Sequence, residues 1–332
     1  TCRFTGADPV AAAQTAHDAL FSRSHGIVSR DLDERTYLVA GVGSVGSFMA
    51  EQLVRTGVGG IILVDPDTVE ASNLCRTTFE LADVGRPKVE ALARRLVRIS
   101  PTVRVEIYPR RLNDLDREEI AALLRKADVV VGAMDDPAAQ CLLDRHAVGQ
   151  GKPGVYVALY EGAQGGEVVL SVPGMTPCFL CATRARHQVE ESAGRVSRGV
   201  DYGSGRLVGE IALGVDIQHV STAAVKLALS LGLPEGTEAR LGGFAQELIA
   251  EGNTYLTFSN VPRYWFYPHI FQDAPGQFAW QSVALSPSRH PDCPVCGTGA
   301  ARIEASDVPM RAPFRSAFLD VEEVADEPSS EP

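Results

Sequence analysis

The sequence predicts an α/β fold built on a doubly wound sheet, parallel in its first half and antiparallel toward the C-terminus. Three observations carry this. Short apolar runs alternate with amphipathic helical stretches up to about residue 150, the pattern of a parallel sheet covered on both faces. A glycine-rich turn, Gly41-x-Gly43-x-x-Gly46, follows the first apolar run directly. Beyond residue 150, two strand-like runs are separated by only a few residues, which is too short for a parallel crossover.

The elements follow in order. Residues 10–25 read as a helix and a connector. Residues 37–41 read as a buried strand. Residues 44–56 form a helix with Val45, Met49 and Leu53 on one face, ended by Gly57. Residues 61–64 are a second strand closing on Asp65. A helix over 88–99 stops before Pro101, and 103–108 is a third strand. A helix over 116–126, a strand over 128–131 and a helix over 138–149 complete this half. Residues 155–160 and 166–172 then suggest an antiparallel hairpin. The polar, Arg- and Gly-rich stretch 182–208 reads as a long functional loop. A long apolar helix spans 209–231, ending at Gly232 with Pro234 beyond. Residues 239–285 look strand-rich and aromatic.

The 332 residues are 45% hydrophobic, enough for one large core or two domains. Apolar runs fall short of a membrane span. The first twenty residues lack a basic region followed by an apolar core, so no secretory signal is read and a cytoplasmic protein is expected. Net charge is −11, and six acidic residues fall within 320–332. That segment reads as a disordered tail. The rest carries no long basic run, which argues against nucleic acid as a partner. Seven cysteines, an odd number, argue against a disulfide framework.

The glycine turn sits between strand and helix, where backbone N–H groups and a helix N-terminus face a phosphate. Asp65 ends the next strand, where an acid can bond ribose hydroxyls. A Rossmann-like site for a ribose and a phosphate follows, with dinucleotide and ATP both open. The next segment separates them. Asp65-x-Asp67, Asn73-Leu74-Cys75-Arg76, Gly85-Arg86-Pro87-Lys88 and Met134-Asp135-Asp136 stand in that order after the glycines. In these motifs the chain resembles the ThiF/MoeB/HesA family, the adenylating core of ubiquitin-activating (E1-like) enzymes, from about residue 18 to 300. Thr77 departs from the family's usual Gln. Adenylation forces a carboxylate against the α-phosphate of ATP, so fixed cations and a metal are what the chemistry requires. A nicotinamide-dependent oxidoreductase has no such need.

The resemblance implies roles. Gly41, Gly43 and Gly46 cradle phosphate and Asp65 holds the ribose. Asp67 and Asn73 lie near sugar and phosphates. Arg76 and Lys88 bind the phosphates and stabilise the transition state, and Asp135 holds Mg²⁺. Arg23 matches the arginine that reaches a partner subunit's ATP site, implying a homodimer. Read without the family, Asp135-Asp136-Pro137 is a helix cap and an arginine near the Pro-Lys turn is a solvated surface charge.

Cys178/Cys181 and Cys293/Cys296 are C-x-x-C pairs whose four thiolates suit a closed tetrahedral zinc site; the alternative is buried thiols or a redox pair. The family carries both pairs, but the spacer here is longer, and its excess falls in an aromatic stretch within 251–290, an added hairpin or a partner surface. The 182–208 crossover loop lacks the nucleophilic cysteine of ubiquitin-activating enzymes proper. Cys75, Ser192, Ser197 and Ser204 are the remaining acyl acceptors; Cys141 reads as packed on a helix and Cys2 as part of a ragged terminus. Arg184, Arg186, Arg195, Arg198 and Arg206 on that loop are expected to attract a carboxylate.

The expected organisation is an N-terminal helix and partner-contacting arm (1–30), an adenylation domain (31–300) and an acidic extension (301–332). The expected reaction activates the C-terminal carboxylate of a small ubiquitin-like protein ending in Gly-Gly, using ATP and Mg²⁺, without a thioester on this chain. The acyl group then passes to a conjugating enzyme or a sulfur donor. Rival readings are a peptide C-terminus as substrate, an unusual acyl-enzyme, and a structural pseudo-subunit of a heterodimer.

Overall fold

The computed structural model describes residues 2–4, 19–192, 212–271 and 279–298. Nine strands form one sheet in the order β1-β4-β3-β2-β5-β6-β7-β8-β9. The strands are β1 (Cys2–Phe4), β2 (Thr36–Ala40), β3 (Gly60–Val64), β4 (Arg104–Tyr108), β5 (Val129–Gly132), β6 (Gly154–Leu159), β7 (Gly165–Ser171), β8 (Tyr255–Ser259) and β9 (Gln281–Leu285). Strands β4, β3, β2, β5 and β6 are parallel. Strands β6 to β9 run antiparallel to one another, and β1 caps the opposite edge antiparallel to β4.

Eight helices are described: α1 (Ser44–Arg55), α2 (Lys88–Ile99), α3 (Arg117–Lys126), α4 (Pro137–Gly149), α5 (Phe179–Ser192), α6 (Gly214–Gly232), α7 (Phe244–Ala250) and α8 (Tyr267–Phe271). Strand residues alternate between two faces, as the two-residue period demands. Tyr37, Val39, Ile61 and Leu63 join the core shared with α1, α2 and α6. Leu38, Ala40, Ile62 and Val64 join the core shared with α3, α4 and α5. The caps explain several boundaries. Asp116 accepts the Glu119 N–H at 2.8 Å and starts α3, and Pro137 opens α4 behind the Asp136 cap.

The chain order reverses between β2 and β5. Strands β3 and β4 lie to one side, β6 and β7 to the other. A crevice opens at the carboxyl ends of the strands at such a switch point. The glycine turn after β2 and the Met134–Asp135 loop after β5 are its two lips.

Several expectations are corrected. Residues 182–192 are helical, the latter part of α5, rather than loop. The long apolar helix starts at Gly214, because Ala212 and Leu213 are not helical. Residues 239–285 are not chiefly strand: α7 and α8 interrupt them. The 251–290 stretch supplies β8 and β9, consecutive antiparallel strands that extend the main sheet. Cys2 belongs to an edge strand rather than a ragged end. Residues 5–18, 193–211 and 299–332 lie outside the described residues, and with them most of the expected N-terminal helix, Ser197, Ser204, Arg195, Arg198, Arg206 and the acidic tail. Among the described residues no helix is long and apolar enough to cross a membrane.

One polar network ties α1 to α2. Glu51 is buried and accepts hydrogen bonds from Arg95 Nε at 2.5 Å and Arg55 Nε at 2.8 Å. Burial alone would raise its carboxyl pKa, but the two arginines outweigh it and hold the value below the ordinary range. A depressed acid stabilises the fold above its unfolded pKa, and that stabilisation fades as pH falls through the folded value. Glu51→Gln is therefore expected to cost about 1–3 kcal/mol at neutral pH. In urea titrations the gap to the parent protein should close as pH falls below about 4.

Candidate active site

The floor of the crevice is built by three glycines and one acid. Gly41 has φ +87°, and a Cβ there would fall 2.5 Å from the Ala133 carbonyl oxygen. Only glycine lets β2 turn this close to the strand beside it. A Cβ on Gly46 would fall 1.8 Å from the Gly41 oxygen, so helix and turn are in contact. Gly43 is the N-cap of α1 and faces open space. The arrangement leaves the start of α1 exposed to a ligand, where unpaired N–H groups attract an anion.

Asp65 directly follows β3 and is buried. Its Oδ2 accepts the Val42 N–H at 2.6 Å and its Oδ1 accepts the Asp67 N–H at 2.9 Å. Each oxygen keeps a further lone pair for a ligand hydroxyl. Burial raises the Asp65 pKa, partly offset by the charge of Lys88.

The cations lie on the same side. Lys88 opens α2, and its ammonium is 2.8 Å from Asp67 Oδ2. The Lys88 N–H also donates to the Asp67 carbonyl at 2.8 Å. Arg76 is half-buried, just after the 3-10 turn Ala71–Asn73. The Asn73 side-chain oxygen accepts the Glu70 N–H at 2.9 Å, so Asn73 shapes the turn that carries Arg76. Thr77 bonds back to the Asn73 carbonyl at 2.8 Å, a local role for the residue that replaces Gln.

On the opposite lip the helix-cap reading falls to Asp136, whose side chain accepts the Ala138 N–H at 2.9 Å. Asp135 is exposed and leaves that duty to its neighbour. Gln140 was not singled out by sequence. Its amide donates to the Met134 carbonyl at 2.5 Å and the Val157 carbonyl at 3.0 Å, fixing the Asp135 loop against β6. No pattern in the chain marks it, because both of its partners are backbone atoms.

The four knuckle cysteines converge, with all four sulfurs within 4.8 Å of one another. Cys178 and Cys293 sulfurs are 3.6 Å apart, as are those of Cys181 and Cys296. A zinc about 2.3 Å from each of four sulfurs requires separations of about 3.8 Å. Backbone N–H groups of Cys178, His290 and Val295 point at Cys296, Cys181 and Cys293 sulfur, each at 3.4 Å. Such donors support thiolates rather than thiols. The donor set fits zinc.

A ThiF family model matches residues 18–295. The chain belongs to the ThiF family. Among curated ThiF-like relatives, a sulfur carrier protein adenylyltransferase of Thermus thermophilus is 37% identical over 45% of this chain and 56% of its own length. Ubiquitin-like modifier-activating enzyme 5 of Caenorhabditis elegans is 31% identical over 45% of this chain and 37% of its own. The chain thus spans about half or less of these relatives. Among solved structures, Escherichia coli MccB with ATP superposes with a TM-score of 0.58 at 18% identity, over 87% of this chain and 75% of that one. The microcin C7 enzyme MccB with N-formylated MccA gives 0.56 at 19%, over 80% and 69%. At these identities the likeness concerns the fold.

The remaining expected residues of this ThiF-family chain divide. Arg23 is exposed, in the turn that follows Phe21, whose ring packs against Gly57. Cys75 is exposed, with its thiol 3.5 Å from the Ser72 carbonyl. Cys141 is buried on α4, and burial pushes its thiol well above the ordinary range. Arg186 is not available to attract a carboxylate. It is buried and paired with Glu167 at 3.0 Å. Ser192 ends α5.

Proposed function

We propose that this chain is an ATP- and Mg²⁺-dependent adenylyltransferase acting on the C-terminal carboxylate of a small ubiquitin-like or sulfur-carrier protein ending in Gly-Gly. In the reaction a carboxylate oxygen attacks the α-phosphorus, the bond to the bridging oxygen breaks, and pyrophosphate leaves. The observation that carries this reading is the gathering of Asp65, Lys88 and Asp135 around one switch-point crevice in a ThiF-family chain. Asp65 supplies acceptors for ribose hydroxyls. The start of α1 faces the phosphates. Lys88 and Arg76 balance charge that grows on the leaving group. Asp135 is the carboxylate that would hold Mg²⁺, whose contribution when bound is to neutralise phosphate oxygens. Cys178, Cys181, Cys293 and Cys296 would hold a structural zinc.

Names of relatives support the substrate class: one is a sulfur carrier adenylyltransferase and others activate ubiquitin-like modifiers. MccB, crystallised with the peptide MccA, favours a second reading in which the acid belongs to a short peptide. Retention of Arg76, Lys88 and Asp135 speaks against a structural pseudo-subunit. Arg23 is assigned to the ATP site of a second copy in a homodimer.

The acyl-adenylate is expected to leave this chain without forming a thioester, because residues 182–208 carry no cysteine; the exposed Cys75 is the competing acceptor. Incubation with ATP, Mg²⁺ and carrier should yield a carrier heavier by one AMP in mass spectrometry. A non-reducing gel should show no thiol-sensitive adduct. An adduct lost on Cys75→Ala would overturn the cysteine-free route, and a short peptide labelled in place of the carrier would establish the second reading.

A further inference from the structure

The carboxylate of Glu167 on β7 is fully buried yet takes no part in the nucleotide crevice. Its Oε2 accepts hydrogen bonds from the hydroxyls of Tyr160 and Tyr255, the latter at 2.5 Å, and stands 3.0 Å from Arg186 Nε. Burial and the Glu167 charge hold both tyrosines well above their ordinary pKa, so they stay protonated and donate. The Arg186 guanidinium lies over the Tyr160 ring, 5.2 Å from its centroid. Tyr160 in turn stacks on Tyr264, with centroids 6.3 Å apart and planes 17° apart. Gly165 leaves room for this stack, because a Cβ there would fall 2.4 Å from the Tyr264 ring.

The place of this cluster matters. Gly132 on β5 is level with Tyr156 on β6. Gln140 ties Val157 to the Met134 carbonyl. Tyr160 therefore follows at the same carboxyl edge of the sheet, one strand along from Asp135. Arg186 lies on α5, the helix that leaves the zinc knuckle. Tyr264 belongs to the aromatic stretch 261–271. The stack thus joins the crossover helix, the sheet edge and the aromatic stretch. A buried ion pair adds little net stability over apolar residues of the same size, and its better-attested use is to fix one geometry.

We propose that Arg186 and Glu167 are positioning residues: braced through Tyr160 by Tyr264, they hold α5 at the carboxyl edge beside Asp135 and thereby set how tightly the acyl substrate is held. The aromatic stretch is then a buttress for the crossover helix. The link to substrate rests on the proposed adenylation; the coupling of Tyr264 to α5 does not.

The test has two arms on the full chain. In the first, backbone hydrogen exchange is followed without substrate in Arg186→Met, Tyr264→Leu and the double variant. Amides of residues 182–186 should exchange at least ten-fold faster in each single variant, those of α2 unchanged, and the double variant should be no faster than the faster single. In the second, pyrophosphate exchange is measured with a recombinant ubiquitin-fold carrier ending in Gly-Gly. Arg186→Met should raise the KM for carrier about ten-fold, with KM for ATP and kcat changed less than two-fold, and Arg186→Lys should restore part of the loss. Tyr255→Phe, which keeps the ring, should raise it about three-fold and serves where a larger change prevents folding. Exchange rates in α5 that match the parent, or effects that multiply in the double variant, would overturn the coupling. A lowered melting temperature with an unchanged KM for carrier would overturn the positioning role. A parent protein inactive with the carrier would refute the adenylation reading and with it the substrate link, leaving the coupling to the first arm.

Discussion

Lys88→Met is expected to lower carrier-dependent pyrophosphate exchange by two to three orders of magnitude while the protein stays folded. The size follows from removing one fixed positive group from a site where charge develops, which costs roughly 10²–10³-fold. The stability side follows from the geometry. The Lys88 partner Asp67 is 53% exposed, and ion pairs so open to water contribute about 0–1 kcal/mol. The melting temperature should therefore move by only a few degrees. Arg76→Ala should behave similarly, since the turn that carries Arg76 is shaped by Asn73 and Glu70. Steady-state exchange at saturating and limiting ATP, with thermal melts of the same samples, checks both halves. A Lys88→Met protein that keeps parent activity would remove the lysine from the chemistry.

Changing Cys293 to Ser, or chelating the metal that the four thiolates are proposed to hold, is expected to produce the largest loss of stability. Cys178 and Cys293 are buried in the same core as Phe179 and Val295. They connect α5 to the chain that leaves β9. A metal held at a thousand times its dissociation constant contributes about 4 kcal/mol to folding. For a domain of this size that corresponds to a fall in melting temperature on the order of 10 °C. Metal analysis should find one zinc per chain in the parent and none in Cys293→Ser. The damage should be greatest in α5 and β9, read by hydrogen exchange, because these elements lie beside the knuckles. A metal-free parent with an unchanged melt would leave the four thiols as a packed cluster.

The crevice was legible because its parts are local in sequence. A strand, a glycine turn and a helix are contiguous, and Asp65, Asn73, Arg76 and Lys88 follow within one crossover. The knuckles were legible because each pair brings its own spacing. What stayed hidden depends on distant contacts. Residues 182–192 read as loop because Arg184, Arg186, His187 and Gln188 break the apolar period, yet the helix is held by the knuckle at one end and by the pair Arg186–Glu167. Nothing local links position 167 to 186; only the placement of β7 beneath α5 does. Strands β8 and β9 read as an insertion because the spacer between the two cysteine pairs is long and its excess falls in an aromatic stretch. The pairing of β8 with β7, and of β9 with β8, makes them part of the sheet.

The central claim is tested most directly by exchange of labelled pyrophosphate into ATP, with Mg²⁺ and a ubiquitin-fold carrier ending in Gly-Gly. The expected result is exchange that requires the carrier, disappears when its last glycine is deleted, and falls with Asp135→Ala. Exchange that ignores the carrier, or none across a panel of such carriers and peptides while the protein binds a nicotinamide dinucleotide, would contradict it.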